Sequence, residues 1–217
     1  MSYQLINNDV ARHISATLMD IEAIKINTEK PYTWVSGWKS PIYCDNRLTL
    51  SYPEIRSIIK NKLTAAIVNN FPEVSAIAGV ATAGIPQGVL IADNMNLPFG
   101  YVRSSPKGHG LENLIEGNLI SGQKVVVVED LISTGSSSLN AVKALKSAGM
   151  DVVGMVAIFT YGFKAASDQF ENENIPLWVL SDYGIMIEEA LKKNYIQSSE
   201  VELLKSWRVD PENWTGK

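Results

Sequence analysis

The chain has 217 residues, of which 46% are hydrophobic and 19% charged, and its formal net charge is −4. This length and composition predict one globular domain whose core needs no disulfide or structural metal. The acidic balance disfavours broad nucleic-acid binding, and the longest apolar run, Val152 to Phe159, is too short for a membrane span. The first residues do not resemble a signal peptide, and the single cysteine, Cys44, cannot form an internal disulfide. We therefore expect a cytoplasmic protein with no membrane partner.

The first third of the chain predicts two helices separated by a region of turns. Apolar residues at helical spacing predict a helix from Val10 to Ile21. The stretch from Thr33 to Asn46 contains proline and glycine and predicts turns and short strands. A second amphipathic helix is expected from Ile55 to Ile67, ending near the asparagine pair before Pro72.

The remainder alternates between short apolar runs and helical patterns. The predicted strands are Val74 to Gly79, Phe99 to Arg103, Val125 to Glu129, Val152 to Phe159 and Leu177 to Leu180, and the predicted helices are Ile85 to Asn94 and Leu139 to Ala148. Continuous apolar strands that alternate with helices favour an α/β fold with a parallel sheet covered on both faces. Ligands bind such sheets at the carboxyl ends of the strands.

The segment from Val125 to Ser137 carries the most informative chemistry. A buried strand leads to two adjacent carboxylates, Glu129 and Asp130, and a loop of small hydroxyl residues around Gly135 then opens a helix. A helix start offers free amide donors to a phosphate, while carboxylates can accept hydrogen bonds from sugar hydroxyls or hold a hydrated cation. A ribose 5-phosphate contains both groups. The alternative is a strand end with two solvated acids and an ordinary serine cap.

This segment resembles the phosphoribosyl pyrophosphate motif of type I phosphoribosyltransferases. The resemblance implies the type I fold, which is a central, mostly parallel sheet flanked by helices with a small N-terminal hood. It also implies a single domain over residues 1–217, with the hood, N-terminal helix and strands in 1–50, the core in 51–180, and a C-terminal helix and tail in 181–217.

The segment from Tyr101 to Gly117 carries three potential cations in an otherwise acidic chain, Arg103, Lys107 and His109. Cations on a closing loop could neutralise a pyrophosphate as it leaves and exclude water from the reacting ribose. A solvated basic turn is the alternative. The segment is similar to the catalytic loop of orotate phosphoribosyltransferases, which implies a homodimer in which the 103–117 loop reaches the neighbouring active site. Some members carry a further lysine where this chain has Ser104.

Two more stretches resemble elements of the same family. Residues 36–45 are similar to its Ser-Gly-x-x-Ser-Pro element, which implies that Tyr43 and Cys44 contact orotate; a packed turn is the alternative. Residues 78–86 resemble its pyrophosphate loop, with Thr82 and Ala83 where some members carry a lysine. An arginine that binds orotate in some members is also absent near Tyr161.

Taken together, the resemblance implies Mg²⁺-dependent transfer of 5-phosphoribosyl from phosphoribosyl pyrophosphate to orotate. It assigns donor binding to Thr82, Ala83, Arg103, Lys107, His109, Glu129, Asp130, Leu131, Ile132, Ser133, Thr134, Gly135, Ser136 and Ser137. Ser133 is also expected to reach orotate, and Asp130 to hold the metal indirectly through water or ribose hydroxyls. The alternatives are a phosphoribosyltransferase for another base, or a regulator that senses phosphoribosyl pyrophosphate and binds nucleic acid. The mixed charges of the first 30 residues do not suggest a nucleic-acid-binding domain.

Overall fold

The computed structural model describes residues 3–105 and 114–215. In chain order the elements are β1 (Tyr3–Leu5), α1 (Asn8–Asp20), β2 (Ile24–Ile26), β3 (Tyr32–Thr33), β4 (Lys39–Ser40), β5 (Ile42–Cys44), a 3-10 helix (Asn46–Ser51), α2 (Pro53–Asn70), β6 (Ala76–Val80), α3 (Gly84–Met95), β7 (Phe99–Val102), β8 (Ile115–Glu116), β9 (Lys124–Ile132), α4 (Ser136–Ser147), β10 (Asp151–Thr160), α5 (Lys164–Asn172), β11 (Leu177–Asp182), α6 (Tyr183–Lys192) and α7 (Ser198–Val209). The predicted helices and strands of the core are confirmed, with boundaries that differ by a few residues.

A seven-stranded sheet forms the centre of the molecule, in the order β1–β11–β10–β9–β6–β7–β8. Neighbouring strands are parallel except at the β7–β8 edge, so the predicted mostly parallel sheet is confirmed. All five residues of β6 are buried, as are Val125 to Val128 of β9. Continuous apolar runs form these strands because helices cover the sheet on both faces and no side of the strand meets water.

The two faces of the sheet carry unequal helical layers. Helices α1, α2, α3, α6 and α7 pack into the larger core, and α4 and α5 into the smaller one. Within the described residues, no helix has both the length and the apolarity to cross a membrane.

The N-terminal segment is divided between the main body and a separate small unit. β1 pairs with β11 at the edge of the main sheet, and α1 packs on that sheet. Two antiparallel pairs, β2 with β5 and β3 with β4, form the unit that we call the hood, residues 24–44. The hood strands are short because proline and glycine interrupt this stretch.

The C-terminal helices complete the larger core. Trp207 on α7 is fully buried, and its indole Nε1 donates a hydrogen bond of 2.9 Å to the Lys39 carbonyl oxygen in the hood. Its ring lies 5.7 Å from those of Trp34 and Tyr161, measured between centroids. Helix α7 therefore packs against both the hood and the main body.

Replacing Trp207 with alanine is expected to lower the free energy of unfolding by about 3–5 kcal/mol, because it removes a buried aromatic side chain and leaves a cavity. Urea unfolding followed by circular dichroism measures the change. Val209→Ala is the control, since Val209 lies on the surface of the same helix and its loss should change stability by less than about 0.5 kcal/mol. Equal effects of the two substitutions would contradict this role of α7.

Candidate active site

The two predicted acids lie inside the carboxyl-terminal end of β9, not beyond it, because β9 continues to Ile132. Glu129 is only 5% exposed, and both of its carboxylate oxygens accept hydrogen bonds. Oε1 accepts from the Asp130 amide at 3.0 Å, and Oε2 accepts from the Ser138 hydroxyl at 3.2 Å. Asp130 is partly exposed. Glu129 therefore anchors the strand end, whereas Asp130 is the acid that a bound molecule can reach.

Burial dominates the electrostatics of this pair. It raises the pKa of Glu129 well above its usual range, and the neighbouring Asp130 carboxylate raises that pKa further. Burial also raises the pKa of Asp130, while a side-chain hydrogen bond with Glu129, main-chain amides and the charge of Arg47 oppose that rise. Both carboxyls are therefore harder to ionise than a free acid, because each is removed from water beside the other.

Glu129→Gln is expected to stabilise the protein at pH 8 relative to the wild type. In the unfolded chain the Glu129 carboxyl has a pKa near the ordinary value of 4.5, and in the folded protein its pKa is higher. Above pH 4.5 the buried carboxyl therefore lowers the free energy of unfolding. This cost grows with pH until the pH exceeds the folded pKa. The stability gap between the variant and the wild type should therefore shrink as the pH falls from 8 to 4.5. Urea unfolding across that range measures it, and a gap that widens at low pH would contradict the burial argument.

The loop after β9 leads into α4 through a left-handed glycine. Gly135 has φ of +82° and precedes the first residue of α4, and no side chain in the described part of the chain caps this helix. The first amide groups of α4 therefore remain available to an anion, and the helix dipole adds positive potential there. Gln169 on α5 donates a hydrogen bond of 3.2 Å from its Nε2 to the Thr134 carbonyl oxygen, which stabilises the loop. This geometry is able to accept an anion such as phosphate.

A second loop, residues 81–83, joins β6 to α3 beside the acidic pair, and its Ala81–Thr82 peptide bond is cis. Gly84, which follows it, packs against β9 so closely that an added Cβ would lie 2.4 Å from the Val128 carbonyl oxygen and 3.4 Å from the Glu129 Cα. The structure thus brings Thr82 and Ala83 to the end of the sheet that carries Glu129. The loop contains no cation, so backbone amides and the Thr82 hydroxyl are its donors.

The hood approaches the acidic pair through the residues after β5. Strand alternation directs the exposed Tyr43 away from the core and the partly buried Cys44 toward it. Burial, with smaller contributions from Asp130 and Asp45, raises the pKa of the Cys44 thiol well above its usual range. The Asn46 amide Nδ2 donates a hydrogen bond of 2.8 Å to the main-chain oxygen of Asp130.

Arg103 lies at the end of β7, where its Nη1 is 3.3 Å from the Glu116 carboxylate. Together with Ser137 it lines a cavity of about 710 Å³ between α4 and the edge strands. Among the described residues, Ala81 and Ser137 line this cavity, whereas Glu129 and Asp130 do not. Lys107 and His109 lie outside the described residues.

Sequence reasoning missed two residues that hold this site together, Ser138 and Asn46. Ser138 is one residue beyond the predicted phosphate loop, and the only signal was the continuation of the serine run. Asn46 directly follows the stretch that resembles the hood element, but nothing in the local sequence indicates its contact with Asp130.

The carboxylates near this site limit how a divalent cation could bind. Among residues 3–105 and 114–215, no three His, Cys, Asp or Glu side chains converge as metal ligands. Because both oxygens of Glu129 already accept hydrogen bonds, Asp130 is the carboxylate that remains for this purpose. One carboxylate together with substrate oxygens and water suits Mg²⁺, which keeps several waters and often binds through substrate phosphates.

Comparison with known proteins identifies the family. Residues 47–190 match the family model described as the phosphoribosyl transferase domain. An orotate phosphoribosyltransferase from Porphyromonas gingivalis is 56% identical over 201 residues, which cover 93% of this chain and 96% of that protein. One from Cytophaga hutchinsonii is 53% identical, covering 94% of this chain and 97% of the relative.

A crystal structure of orotate phosphoribosyltransferase from Aeropyrum pernix matches with a TM-score of 0.74 and 27% identity, covering 85% of this chain and 99% of that one. The family match, the identities over nearly the whole length and the shared fold all indicate the same family. The chain belongs to the orotate phosphoribosyltransferase family and has the type I phosphoribosyltransferase fold.

Proposed function

We propose that this chain transfers the 5-phosphoribosyl group of phosphoribosyl pyrophosphate to orotate, giving orotidine 5'-monophosphate and pyrophosphate in pyrimidine biosynthesis. One observation supports the proposal above all others. A partly exposed carboxylate, Asp130, lies at the end of β9 just before the uncapped amino end of α4, so acceptors for ribose hydroxyls and donors for a phosphate adjoin each other. The relatives' names supply the identity of the base.

The donor would occupy the two loops at this end of the sheet. Asp130, with Glu129 behind it, accepts hydrogen bonds from the ribose hydroxyls. The amide groups and hydroxyls of residues 133–137 bind the 5-phosphate, with Leu131 and Ile132 supplying main chain at the strand end. Thr82 and Ala83 bind the pyrophosphate through the hydroxyl and backbone amides.

In the reaction, the bond between ribose C1 and the pyrophosphate oxygen breaks as the orotate ring nitrogen forms the new bond to C1 from the opposite face. The proton that this nitrogen loses passes to the departing pyrophosphate or to solvent. The ribose gains positive charge while the bond loosens, and the Asp130 carboxylate stabilises it. Arg103, Lys107 and His109 neutralise the charge that develops on pyrophosphate, so catalysis is electrostatic and needs no protein nucleophile. Ser133 and the hood residues Tyr43 and Cys44 orient orotate.

Mg²⁺ is the cofactor that this site would take. Asp130 would hold it through water or the ribose hydroxyls, and the ion would supply further charge neutralisation for the pyrophosphate.

A homodimer is the second part of the proposal. Leu48, Tyr52 and Val89 are each about 40% exposed. They lie on the 3-10 helix, before α2 and on α3, and α2 contacts both the 3-10 helix and α3. We propose that these exposed apolar side chains contribute to the contact with a second copy, and that the 103–117 loop would then reach the partner's site. Sedimentation equilibrium should give twice the chain mass of 23.8 kDa.

A cytoplasmic location stays a prediction, supported by the single cysteine.

The decisive assay mixes the protein with Mg²⁺, phosphoribosyl pyrophosphate and a panel of bases while orotate absorbance is followed. Loss of orotate absorbance and release of pyrophosphate, both dependent on the protein, are expected. Consumption of another base with orotate untouched would contradict the choice of substrate. Nucleic-acid binding without turnover would instead favour a regulator.

A further inference from the structure

The hydrogen bond from Asn46 to Asp130 occurs where the central sheet opens. The ladder between β6 and β9 ends at the pair Gly79 and Val128, while β9 continues to Ile132. Asp130 therefore lies two residues beyond the last pairing with β6. On its other side β9 remains paired with β10 through Ile132. On the side that faces β6, the main-chain groups of β9 beyond Val128 have no strand partner, and these groups need other hydrogen bonds.

Asn46 takes the place of that missing strand at Asp130. Its side-chain amide Nδ2 donates to the Asp130 carbonyl oxygen at 2.8 Å, which is the bond a strand amide would otherwise make. Asn46 is only 1% exposed, although it lies at the start of the 3-10 helix that follows the hood. A side chain buried to this degree holds a nearly fixed geometry, because few rotamers fit a packed site.

Neighbouring groups orient the Asn46 side chain and its backbone. Its Oδ1 accepts a hydrogen bond from the Cys44 thiol, with 3.5 Å between the sulfur and the oxygen. The Thr49 hydroxyl donates to the Asn46 carbonyl oxygen at 2.6 Å, and the Gln87 Nε2 on α3 lies 3.4 Å from that hydroxyl. Asn46 thus connects the acidic end of β9 to the hood and, through Thr49, to the helix that follows the pyrophosphate loop.

We propose that Asn46 is a positioning residue for the transfer reaction, which holds the Asp130 main chain so that the ribose and the hood-bound base are aligned. This role rests on the proposed function of the site. Asn46 itself would not touch the reacting atoms. Its effect should appear in kcat, because the alignment of two substrates matters most in the transition state, and misplacement by about 1 Å can cost about 100-fold in rate.

The test compares Asn46→Ala with Asn70→Ala, a control that loses the same kind of bond far from the site. Asn70 Nδ2 also donates to a main-chain oxygen, that of Ala66, at 2.8 Å. Asn46→Ala is expected to lower kcat per folded molecule about 10- to 100-fold, with smaller changes in the KM values of both substrates. Asn70→Ala should leave kcat within about twofold. Thermal unfolding measures the folded fraction of each variant.

Asn46→Asp is the second variant, because it keeps the shape of the side chain but its carboxylate cannot donate to the Asp130 oxygen. It should lose at least as much kcat as the alanine variant, and it replaces that variant if Asn46→Ala does not fold. Wild-type kcat in a folded Asn46→Ala or Asn46→Asp protein would overturn the positioning role. Absence of orotate turnover in the wild type would contradict the proposed function itself, so the two failures are distinguishable.

Discussion

Replacing Asp130 with asparagine is expected to lower kcat/KM for phosphoribosyl pyrophosphate by about 100-fold, with little change in the folded structure. The substitution keeps the size of the side chain and one acceptor oxygen but removes the negative charge. A charge-assisted hydrogen bond to a ribose hydroxyl contributes about 1.5–3 kcal/mol, which corresponds to roughly 10- to 150-fold. The carboxylate gains further importance as positive charge develops on the ribose. Steady-state kinetics with varied phosphoribosyl pyrophosphate measures the effect.

Asp151→Asn is the matched control for this substitution. Asp151 is exposed at the start of β10, the strand beside β9, at the opposite end from the acidic pair. Its replacement removes the same charge from the same sheet and should change kcat/KM by less than about twofold. If both variants lost activity equally, the effect would be one of net charge and not of a contact with the ribose.

Replacing Gly84 with alanine is expected to destabilise the protein by about 2–4 kcal/mol and to lower kcat/KM by at least about 100-fold. Alanine in place of glycine inside a helix usually stabilises it by about 0.5–1 kcal/mol. Here the clash dominates, because the new Cβ would lie 2.4 Å from the Val128 carbonyl oxygen and only movement of the backbone can relieve it. That movement would shift the 81–83 loop away from the end of β9.

Gly184→Ala separates the clash from the general effect of the substitution. Gly184 lies in the first turn of α6, and the nearest atom to its added Cβ is the Asp182 Oδ1 at an ordinary 3.4 Å. This variant should be as stable as the wild type or slightly more stable, with normal kinetics. Urea unfolding and steady-state assays of both variants provide the comparison. A Gly84→Ala protein with wild-type stability and kinetics would show that the loop does not depend on this close approach.

The central strands were predictable because their apolar sequences already indicate that they are buried on both faces. Val125 to Val128 and Val152 to Phe159 are continuous apolar runs, and such runs are stable only when both faces of a strand are covered. β1 was not predicted, since Tyr3–Leu5 has too little local pattern and becomes a strand only by pairing with Leu177 to Val179. The partners of Trp207 were equally hidden, because Lys39 and Tyr161 come from distant segments.

The candidate site divides in the same way. Local sequence was enough to predict which chemical groups meet here, namely Glu129 and Asp130 followed by a small-residue loop. Adjacent residues at one strand end and one helix start remain close in any fold that forms those elements. The distinction between Glu129 as the buried anchor and Asp130 as the accessible acid depends on the folded protein. The tertiary structure also decided that Asn46 reaches Asp130 across 84 residues of chain. Such contacts depend on how the hood packs against the sheet, and packing is set by the whole core rather than by any local pattern.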